Sequence, residues 1–224
     1  MGRLLIHVEG WTEVRFVNEV LRNHLEPHSV SARIIGNARQ REQRGGIRSW
    51  PHVRKGIVNH LREDHASFAT TMVDYYAMPV SWPGRAQSTN RGSTEEKARC
   101  VEDAMRDDLA AEMGSGFNSL RFVPFVVMHE FEGLLFSDCV AFSRAIDRHD
   151  LAGDFRDIRD QFPTPEDIDD SPVTAPSKRI EALEPRYQKP LFGVLAVLEI
   201  GLDRIQEECP HFRSWLNQLA TLLE

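Results

Sequence analysis

The stretch RLLIHVEGWTEVRF, residues 3–16, holds the first strand, the first turn and the start of the first helix of the predicted fold. Its apolar run indicates a short buried strand that stops at Gly10, and the following residues have apolar side chains at helical spacing. Thr12 is a candidate N-cap for that helix. Glu9 closes the strand, either because a turn needs a polar residue there or because an active site needs a carboxylate.

The same alternation of strand and helix continues through the first two thirds of the chain. Residues 29–36, 66–76 and about 120–128 are predicted strands, and helical patterns separate them. Alternating β and α elements are typical of a parallel sheet covered by helices. We therefore predict an α/β fold, Rossmann-like, with a mostly parallel sheet flanked by helices.

The pattern changes near residue 147, where an acidic segment with several prolines begins. Short surface helices are expected there, followed by apolar residues at helical spacing that Pro210 divides into two helices. We predict an α/β core over residues 1–147. Residues 148–224 are predicted to form an acidic segment and a helical C-terminal extension packed on that core.

The composition describes an ordinary globular chain of 224 residues, with 41% hydrophobic residues, 27% charged residues and a net charge of −7. No apolar run has the length of a membrane-spanning helix, and the N-terminus lacks a secretory signal, so we expect no membrane association. The three cysteines, Cys100, Cys139 and Cys209, are widely spaced and odd in number. They favour a reducing, cytoplasmic location over a disulfide scaffold.

The charge is unevenly distributed, because residues 38–54 contain five arginines and one glutamate. Such a basic loop is a candidate for contact with a nucleic-acid backbone, although a solvated loop is the simpler interpretation. Two aromatic residues at the long loop that follows the third strand, Tyr75 and Trp82, could stack on a base or could pack in the core. The arginines predicted to bind nucleic acid are Arg39, Arg41, Arg44 and Arg48.

Acidic residues follow three of the predicted strands, and further acids lie close behind. Glu9, Asp74 and Glu130 each fall at a strand end, Glu13 is one helical turn after Glu9, and Glu132 is two residues after Glu130. The carboxyl ends of parallel strands share one edge of the sheet, where α/β folds place ligands. Clustered carboxylates need a cation, and oxygen ligands suit Mg²⁺ or Mn²⁺. The alternative is that each strand simply ends in a polar turn residue.

A separate polar segment, residues 175–189, offers further candidates. Ser177, Lys178 and Arg179 could contact phosphate, with Lys178 stabilising developing negative charge. A helix N-cap at Ser177 followed by solvated basic residues is the alternative.

The segment VEGWTE, residues 8–13, resembles the signature of TOPRIM domains, which occur in topoisomerases, primases, recombination proteins and overcoming-lysogenization-defect-type nucleases. The resemblance implies that Glu9 is the catalytic glutamate at the end of the first strand, acting as a metal ligand or as a general acid or base. It also implies that Asp74 in VDYY is the first aspartate of a DxD motif. The second aspartate position is Tyr76, which departs from the pattern.

A fuller resemblance rests on VDYYAMPVSWPG, MHEFEGLLFSD and APSKRIEALEPRYQK, residues 73–84, 128–138 and 175–189. Together they look like a bacterial family with a TOPRIM-like core whose members often occur beside ABC/SMC-like ATPases in antiphage loci. This implies an ATPase partner, places the segment around Ser177 near the metal, and lets Glu130 and Glu132 replace the missing aspartate.

We therefore expect a metal-dependent nuclease, with Glu9, Asp74, Glu130 and Lys178 as catalytic residues and DNA or RNA as substrate. In this hypothesis Mg²⁺ or Mn²⁺ is held by Glu9, Glu13, Asp74, Glu130 and Glu132. One alternative is a partner-binding regulatory subunit of an ATPase complex without catalysis of its own. Another is a hydrolase of a small phosphorylated molecule.

Overall fold

The structure is a computed structural model that describes residues 2–35, 48–76, 78–168 and 174–224. Its contacts divide the chain into two compact units. The first comprises Met1–Val126 and Trp215–Glu224, and the second comprises Val127–Ser214. The predicted division of the chain into residues 1–147 and 148–224 stays a prediction.

The first unit is built on a parallel sheet in the order β2-β1-β3-β4. Its strands are β1 (Arg3–Val8), β2 (Ser29–Ile34), β3 (Ser67–Asp74) and β4 (Phe122–Val123), and each neighbouring pair runs parallel. A two-residue strand, β5 (Val126–Val127), starts where the main segment of this unit ends and also pairs with β3. The predicted α/β fold with a mostly parallel sheet is therefore confirmed.

The predicted last strand is shorter than expected and is divided in two. Pro124 lies between β4 and β5. Proline has no N–H to donate to the ladder, so continuous pairing through residues 120–128 is interrupted at that point.

Helices of the first unit connect and cover these strands. After β1 the chain forms a helical segment with a π-helical centre, Val17–Leu21, and π-turns of this kind often occur at functional sites. Gly10, not Thr12, precedes this segment as the N-cap. The α-helices with residues in this unit are α1 (Trp11–Phe16), α2 (Arg22–His24), α3 (Trp50–Glu63), α4 (Arg85–Ser88), α5 (Thr94–Met113) and most of α11 (Pro210–Leu223).

The longest helix, α5, has both a capping box at its start and apolar residues at helical spacing. Ser93 accepts a hydrogen bond from the Glu96 backbone N–H at 3.1 Å, and the Glu96 carboxylate accepts from Ser93 N–H at 3.1 Å, which forms a capping box. Its buried residues recur at helical spacing and form one apolar face: Ala98, Val101, Met105 and Leu109. Local capping and periodicity thus specify this helix without tertiary information.

The hydrophobic core of the first unit is centred on β1, the strand between β2 and β3. Ile6 and Val8 are fully buried there. The C-terminal helix α11 contributes Trp215, whose ring stacks on Phe125 at 4.3 Å and whose Nε1–H donates to Thr70 Oγ1 at 2.9 Å. The end of the chain is therefore part of this core.

The second unit is helical and has its own aromatic core. Phe142 stacks on Phe155 at 4.5 Å, and Phe136 contacts both rings edge-on. Short 3₁₀ helices span Phe131–Ser137, His149–Leu151 and Pro165–Asp167, and the last two lie in the acidic segment where short helices were expected. Its α-helices are α6 (Cys139–Ala145), α7 (Ala152–Arg159), α8 (Pro176–Leu183), α9 (Lys189–Ile200), α10 (Leu202–Glu208) and the start of α11.

The C-terminal part contains one more break than the sequence predicted. Gly201 has a φ of 83° and separates α9 from α10, while Pro210 opens α11 as expected. A glycine adopts this left-handed φ without the steric cost that a side chain would add. None of the helices in the described part of the chain is both long and apolar enough to span a bilayer.

Candidate functional site

Glu9 and Asp74 come together at the carboxyl ends of two neighbouring strands in the first unit. In the register of β1 and β3, Val8 at the end of β1 lies beside Met72, two residues before β3 ends at Asp74. The backbone N–H of Asp74 donates a long hydrogen bond of 3.4 Å to the Glu9 carboxylate. Both residues are half-buried. Two predicted site residues that are 65 positions apart in the chain are thus adjacent.

Glu13 holds the turn that follows Glu9. Its carboxylate accepts a hydrogen bond from the Gly10 backbone N–H at 2.8 Å, and the side chain is buried. This contact satisfies one of the backbone donors at the start of α1 and places negative charge at the positive end of the helix. Its predicted role as a metal ligand stays a prediction.

His7 lies two residues before Glu9 and is a feature that the sequence analysis did not single out. The imidazole is 1% exposed, and neither ring nitrogen has a hydrogen-bond partner among the described residues. Burial, together with smaller effects of the neighbouring His60 and Arg33, lowers the pKa of His7 to about 3. A neutral histidine therefore lies in β1 just before the candidate site.

The predicted stacking residues Tyr75 and Trp82 are both 2% exposed. The Tyr75 hydroxyl is 2.8 Å from Ser88 Oγ, and Trp82 Nε1–H donates to the Arg48 carbonyl at 3.0 Å. Both side chains therefore pack in the core, which was the alternative to stacking on a base. The aromatic side chains exposed near this edge are instead Trp11, at 65%, and Tyr76, at 38%.

Of the four arginines predicted to bind nucleic acid, only Arg48 lies in the part of the chain that the structure describes; Arg39, Arg41 and Arg44 lie outside it. The Arg48 guanidinium contacts His52 Nε2, one helical turn along the chain. The predicted contact of these arginines with a nucleic-acid backbone stays a prediction.

In the second unit, Glu130 and Glu132 flank the start of a 3₁₀ helix and share a lysine. Lys189 Nζ lies 3.1 Å from Glu132 Oε2 and 3.6 Å from Glu130 Oε1. The exposed fractions of the two glutamates are 7% and 1%, so a nearby cation offsets the cost of burying their charge. The sequence analysis did not assign a role to Lys189, and only the packing of α9 reveals it.

The segment around Ser177 contributes to this second group through its backbone. Ser177 N–H, in the first turn of α8, donates to Glu130 Oε2 at 2.9 Å. Lys178 forms a partly exposed ion pair with Glu181 at 2.6 Å. Arg179 donates to the Thr174 carbonyl at 2.8 Å and lies over the Phe162 ring. The helix N-cap is Ala175 rather than Ser177. The predicted catalytic role of Lys178 stays a prediction.

Tyr187 completes the group formed by Glu130, Glu132 and Lys189. Its hydroxyl is buried and has no hydrogen-bond partner among the described residues. Burial raises the pKa of Tyr187, and the charges of Glu132 and Glu130 raise it further. The phenol is therefore neutral and can donate a hydrogen bond.

The second unit also contains a cavity of about 430 Å³ that no predicted site residue lines. Arg159 and Arg204 at its wall pair with Glu208, at 2.8 and 2.9 Å. Burial raises the pKa of the neighbouring Cys139 thiol to about 11, which keeps the thiol protonated. The cavity therefore has a polar wall whose charges largely compensate one another.

The carboxylates thus form two groups, Glu9 with Asp74 in the first unit and Glu130 with Glu132 in the second. Within the described ranges, no group of three or more histidine, cysteine, aspartate or glutamate side chains is arranged to hold a metal ion. A parallel sheet whose first strand is followed by a glutamate is the arrangement that the resemblance to TOPRIM domains implied.

Comparison with known proteins places the chain in a family. The family model described as "Domain of unknown function (DUF4276)" matches residues 8–220, so the chain belongs to that family. Among solved structures, the chain is similar to the C-terminal region of the OLD protein of Xanthomonas campestris pv. campestris. The identity is 16% and the TM-score is 0.43, over 100% of this chain and 96% of the other. No curated protein matches the chain.

Proposed function

We propose that this protein is a metal-dependent nuclease that hydrolyses phosphodiester bonds in DNA or RNA. The observation that carries the proposal is the contact of the Glu9 carboxylate with the Asp74 backbone at the ends of two parallel strands. Mg²⁺ sites commonly use one or two carboxylates and leave the remaining positions to water and phosphate oxygens. The oxygen donors of these two residues fit that requirement.

In this proposal Glu9 and Asp74 hold Mg²⁺ or Mn²⁺. When bound, such an ion polarises the phosphate and lowers the pKa of a bound water. Glu13 acts as a positioning residue, because its bond to Gly10 fixes the turn next to Glu9. Glu9 itself is the alternative general acid or base, since it lies at the end of β1 and is only half-buried.

The acids of the second unit have a secondary role in the proposal. Lys189 supplies a positive charge to Glu130 and Glu132, so their charges are partly compensated without a metal ion. In this proposal they are further metal ligands. The proposed contacts to phosphate are Ser177, Lys178, Arg179, Arg39, Arg41, Arg44 and Arg48.

The resemblance to proteins encoded beside ABC/SMC-like ATPases supports a cellular setting for this activity. In that setting the nuclease is a cytoplasmic effector of an antiphage system, and the ATPase controls it. The genes that flank the coding sequence are a direct check on the proposed partner.

The nuclease activity is tested with plasmid, single-stranded DNA and tRNA in Mg²⁺ or Mn²⁺, with and without the protein encoded by the neighbouring gene. Glu9→Ala and Asp74→Ala should abolish cleavage while circular dichroism and the melting temperature stay close to wild type. Glu63→Gln is the matched control, because Glu63 is an exposed acid at the end of α3. If the wild type leaves all three substrates intact under every condition, the proposal fails.

A second candidate function is a regulatory subunit of an ATPase complex without its own catalysis. Three leucines on α9 support it: Leu191, Leu195 and Leu198 are 43%, 43% and 50% exposed. Their spacing places them on one helix face, and an exposed apolar face of this kind is typical of protein interfaces. Leu195→Glu should then prevent co-purification with the ATPase, whereas Leu120→Glu, at another exposed leucine, should not.

A further inference from the structure

Among the described residues, exposed aromatic side chains are uncommon, and two of them lie close behind the candidate catalytic acids. Trp11 comes two residues after Glu9, and Tyr76 comes two residues after Asp74. Their exposed fractions are 65% and 38%. The other three tryptophans, Trp50, Trp82 and Trp215, are between 2% and 4% exposed.

The fold brings the two exposed rings to the same edge of the sheet. Trp11 opens α1 immediately after β1, and Tyr76 lies in the turn after β3. The two strands are hydrogen-bonded neighbours, and such strands lie about 4.8 Å apart. The contact between Glu9 and Asp74 at 3.4 Å shows that their ends meet. Trp11 and Tyr76 are therefore exposed residues on the two segments that carry the acids.

Trp11 is 65% exposed, so most of its large aromatic surface is accessible to a ligand. Flat aromatic rings beside a phosphodiester-cleaving site suit the faces of nucleobases, which stack on tryptophan and tyrosine with little regard to sequence. In a duplex those faces are covered by the neighbouring base pairs, whereas in a single strand or an unpaired loop they are accessible.

We propose that Trp11 and Tyr76 form a base-stacking platform that selects single-stranded or unpaired nucleic acid as the substrate. The inference rests on the proposed nuclease function. In this arrangement an unpaired base stacks on Trp11, a second contacts Tyr76, and the phosphate between them lies toward Glu9 and Asp74.

Binding is measured in EDTA, so that cleavage cannot contribute. Because Trp11 is the exposed tryptophan among four, iodide quenching of wild-type fluorescence reports on it. Saturating oligodeoxythymidylate should protect Trp11 from iodide, and a blunt duplex of the same length should protect it far less. If the single strand leaves the quenching unchanged, or if only a protein partner protects Trp11, the proposal is wrong.

Variants provide the second measurement, with the affinity for labelled oligodeoxythymidylate followed by fluorescence anisotropy. Trp11→Ala should weaken binding on the order of 5- to 100-fold, and Tyr76→Ala should weaken it less. Trp11→Phe retains an aromatic face and should restore most of the affinity. Leu120→Ala is the matched control, because Leu120 is 62% exposed and precedes β4, at the opposite edge of the sheet. Wild-type affinity in Trp11→Ala would overturn the proposal.

The stacking platform and the nuclease activity fail in different ways. If Trp11 is protected by the single strand in EDTA but no divalent cation produces cleavage, the stacking platform stands and the nuclease proposal fails. If the wild type cleaves but Trp11→Ala cleaves single strands as fast as the wild type, the nuclease proposal stands and the platform fails.

Discussion

The backbone N–H of Asp74 donates a hydrogen bond to the carboxylate of Glu9 over 3.4 Å, which links the ends of β3 and β1. The bond is longer than the usual range for N–H···O, so it holds Glu9 only loosely. The donor is the backbone N–H of Asp74, so a substitution of the Asp74 side chain leaves this hydrogen bond in place. This relationship suggests that the two side chains can be altered separately.

The first prediction concerns the metal dependence of cleavage. Asp74→Asn preserves the backbone donor to Glu9 but removes a negative charge and a strong cation ligand. We expect the rate of cleavage to fall by at least about 100-fold at low Mg²⁺, with partial recovery at high Mn²⁺. Titrating each metal against the cleavage rate measures this. Glu63→Gln is the control, and an Asp74→Asn enzyme with wild-type Mg²⁺ dependence would contradict a role for Asp74 as ligand.

The second prediction concerns Lys189, whose ammonium contacts Glu130 and Glu132. Lys189→Met should lower the free energy of unfolding by about 1–3 kcal/mol, because two buried carboxylates lose a cation; partial exposure of the lysine reduces the effect. Urea denaturation measures this change. Adding Glu132→Gln to Lys189→Met should recover part of the loss, since the variant then buries one charge fewer.

Lys178→Met is the matched control for that experiment. Lys178 pairs with Glu181 on the surface of α8, and both side chains are more than a third exposed. Its removal should change the free energy of unfolding by less than about 0.5 kcal/mol. If Lys178→Met and Lys189→Met lower the free energy of unfolding equally, the contacts of Lys189 to Glu130 and Glu132 stabilise the protein no more than an exposed ion pair does.

The third prediction concerns the stability of the protein in acid. Burial lowers the pKa of His7 to about 3, from an ordinary value of 6.5, and His60 lies 6.3 Å away, ring centre to ring centre. Between these pH values the unfolded chain binds a proton that the folded protein does not. The contribution of His7 to stability is complete above pH 6.5 and falls by about 1.4 kcal/mol per pH unit below it.

His7→Leu removes this proton linkage. Its free energy of unfolding should therefore change less with pH than that of the wild type between about pH 4 and 6.5. The comparison uses the slope, because the substitution also changes packing and shifts the absolute stability. His149→Gln, at an exposed histidine, should keep the wild-type slope. Parallel slopes for His7→Leu and wild type would refute the proposed linkage.

The fourth prediction compares two glycines of the first unit. Gly84 has a φ of 72°, and a Cβ there would lie 2.2 Å from the Cys100 carbonyl oxygen of α5. Gly84→Ala should cost at least about 2 kcal/mol of stability, from the backbone conformation and the clash together. Gly56 lies inside α3, and a Cβ there meets nothing within 4 Å, so Gly56→Ala should stabilise by about 0.5–1 kcal/mol. Thermal denaturation measures both changes in stability. If both variants are destabilised, or both are stabilised, the prediction is contradicted.

Local patterns predicted much of the fold, as α5 illustrates. Its start at Thr94 and end at Met113 follow from the Ser93 cap and from the spacing of apolar residues. The π-helical turn after α1 and the break at Gly201 were not predicted, because periodicity does not distinguish one helical turn type from another. Pro124 did carry a local signal for the division of the last strand.

Only the residues of the candidate site that lie at the ends of neighbouring strands could be predicted from the sequence. Glu9 and Asp74 were found because parallel strands bring their carboxyl ends to one edge. Lys189 was not paired with Glu132 in the sequence analysis, because 57 residues separate them and no periodic pattern links their elements. The exposure of Trp11 and the burial of Trp82 were equally unpredictable, because the same residue type suits both positions.

By itself the sequence determined the order of strands and helices, the parallel sheet and the carboxylate at the end of its first strand, because each depends on local spacing and capping. Only the tertiary structure decided which charges are paired and which aromatic rings remain exposed. The physical reason is that burial and ion pairing depend on neighbours distant in the chain. Glu9 meets Asp74, and Glu132 meets Lys189, only when the elements that carry them have packed.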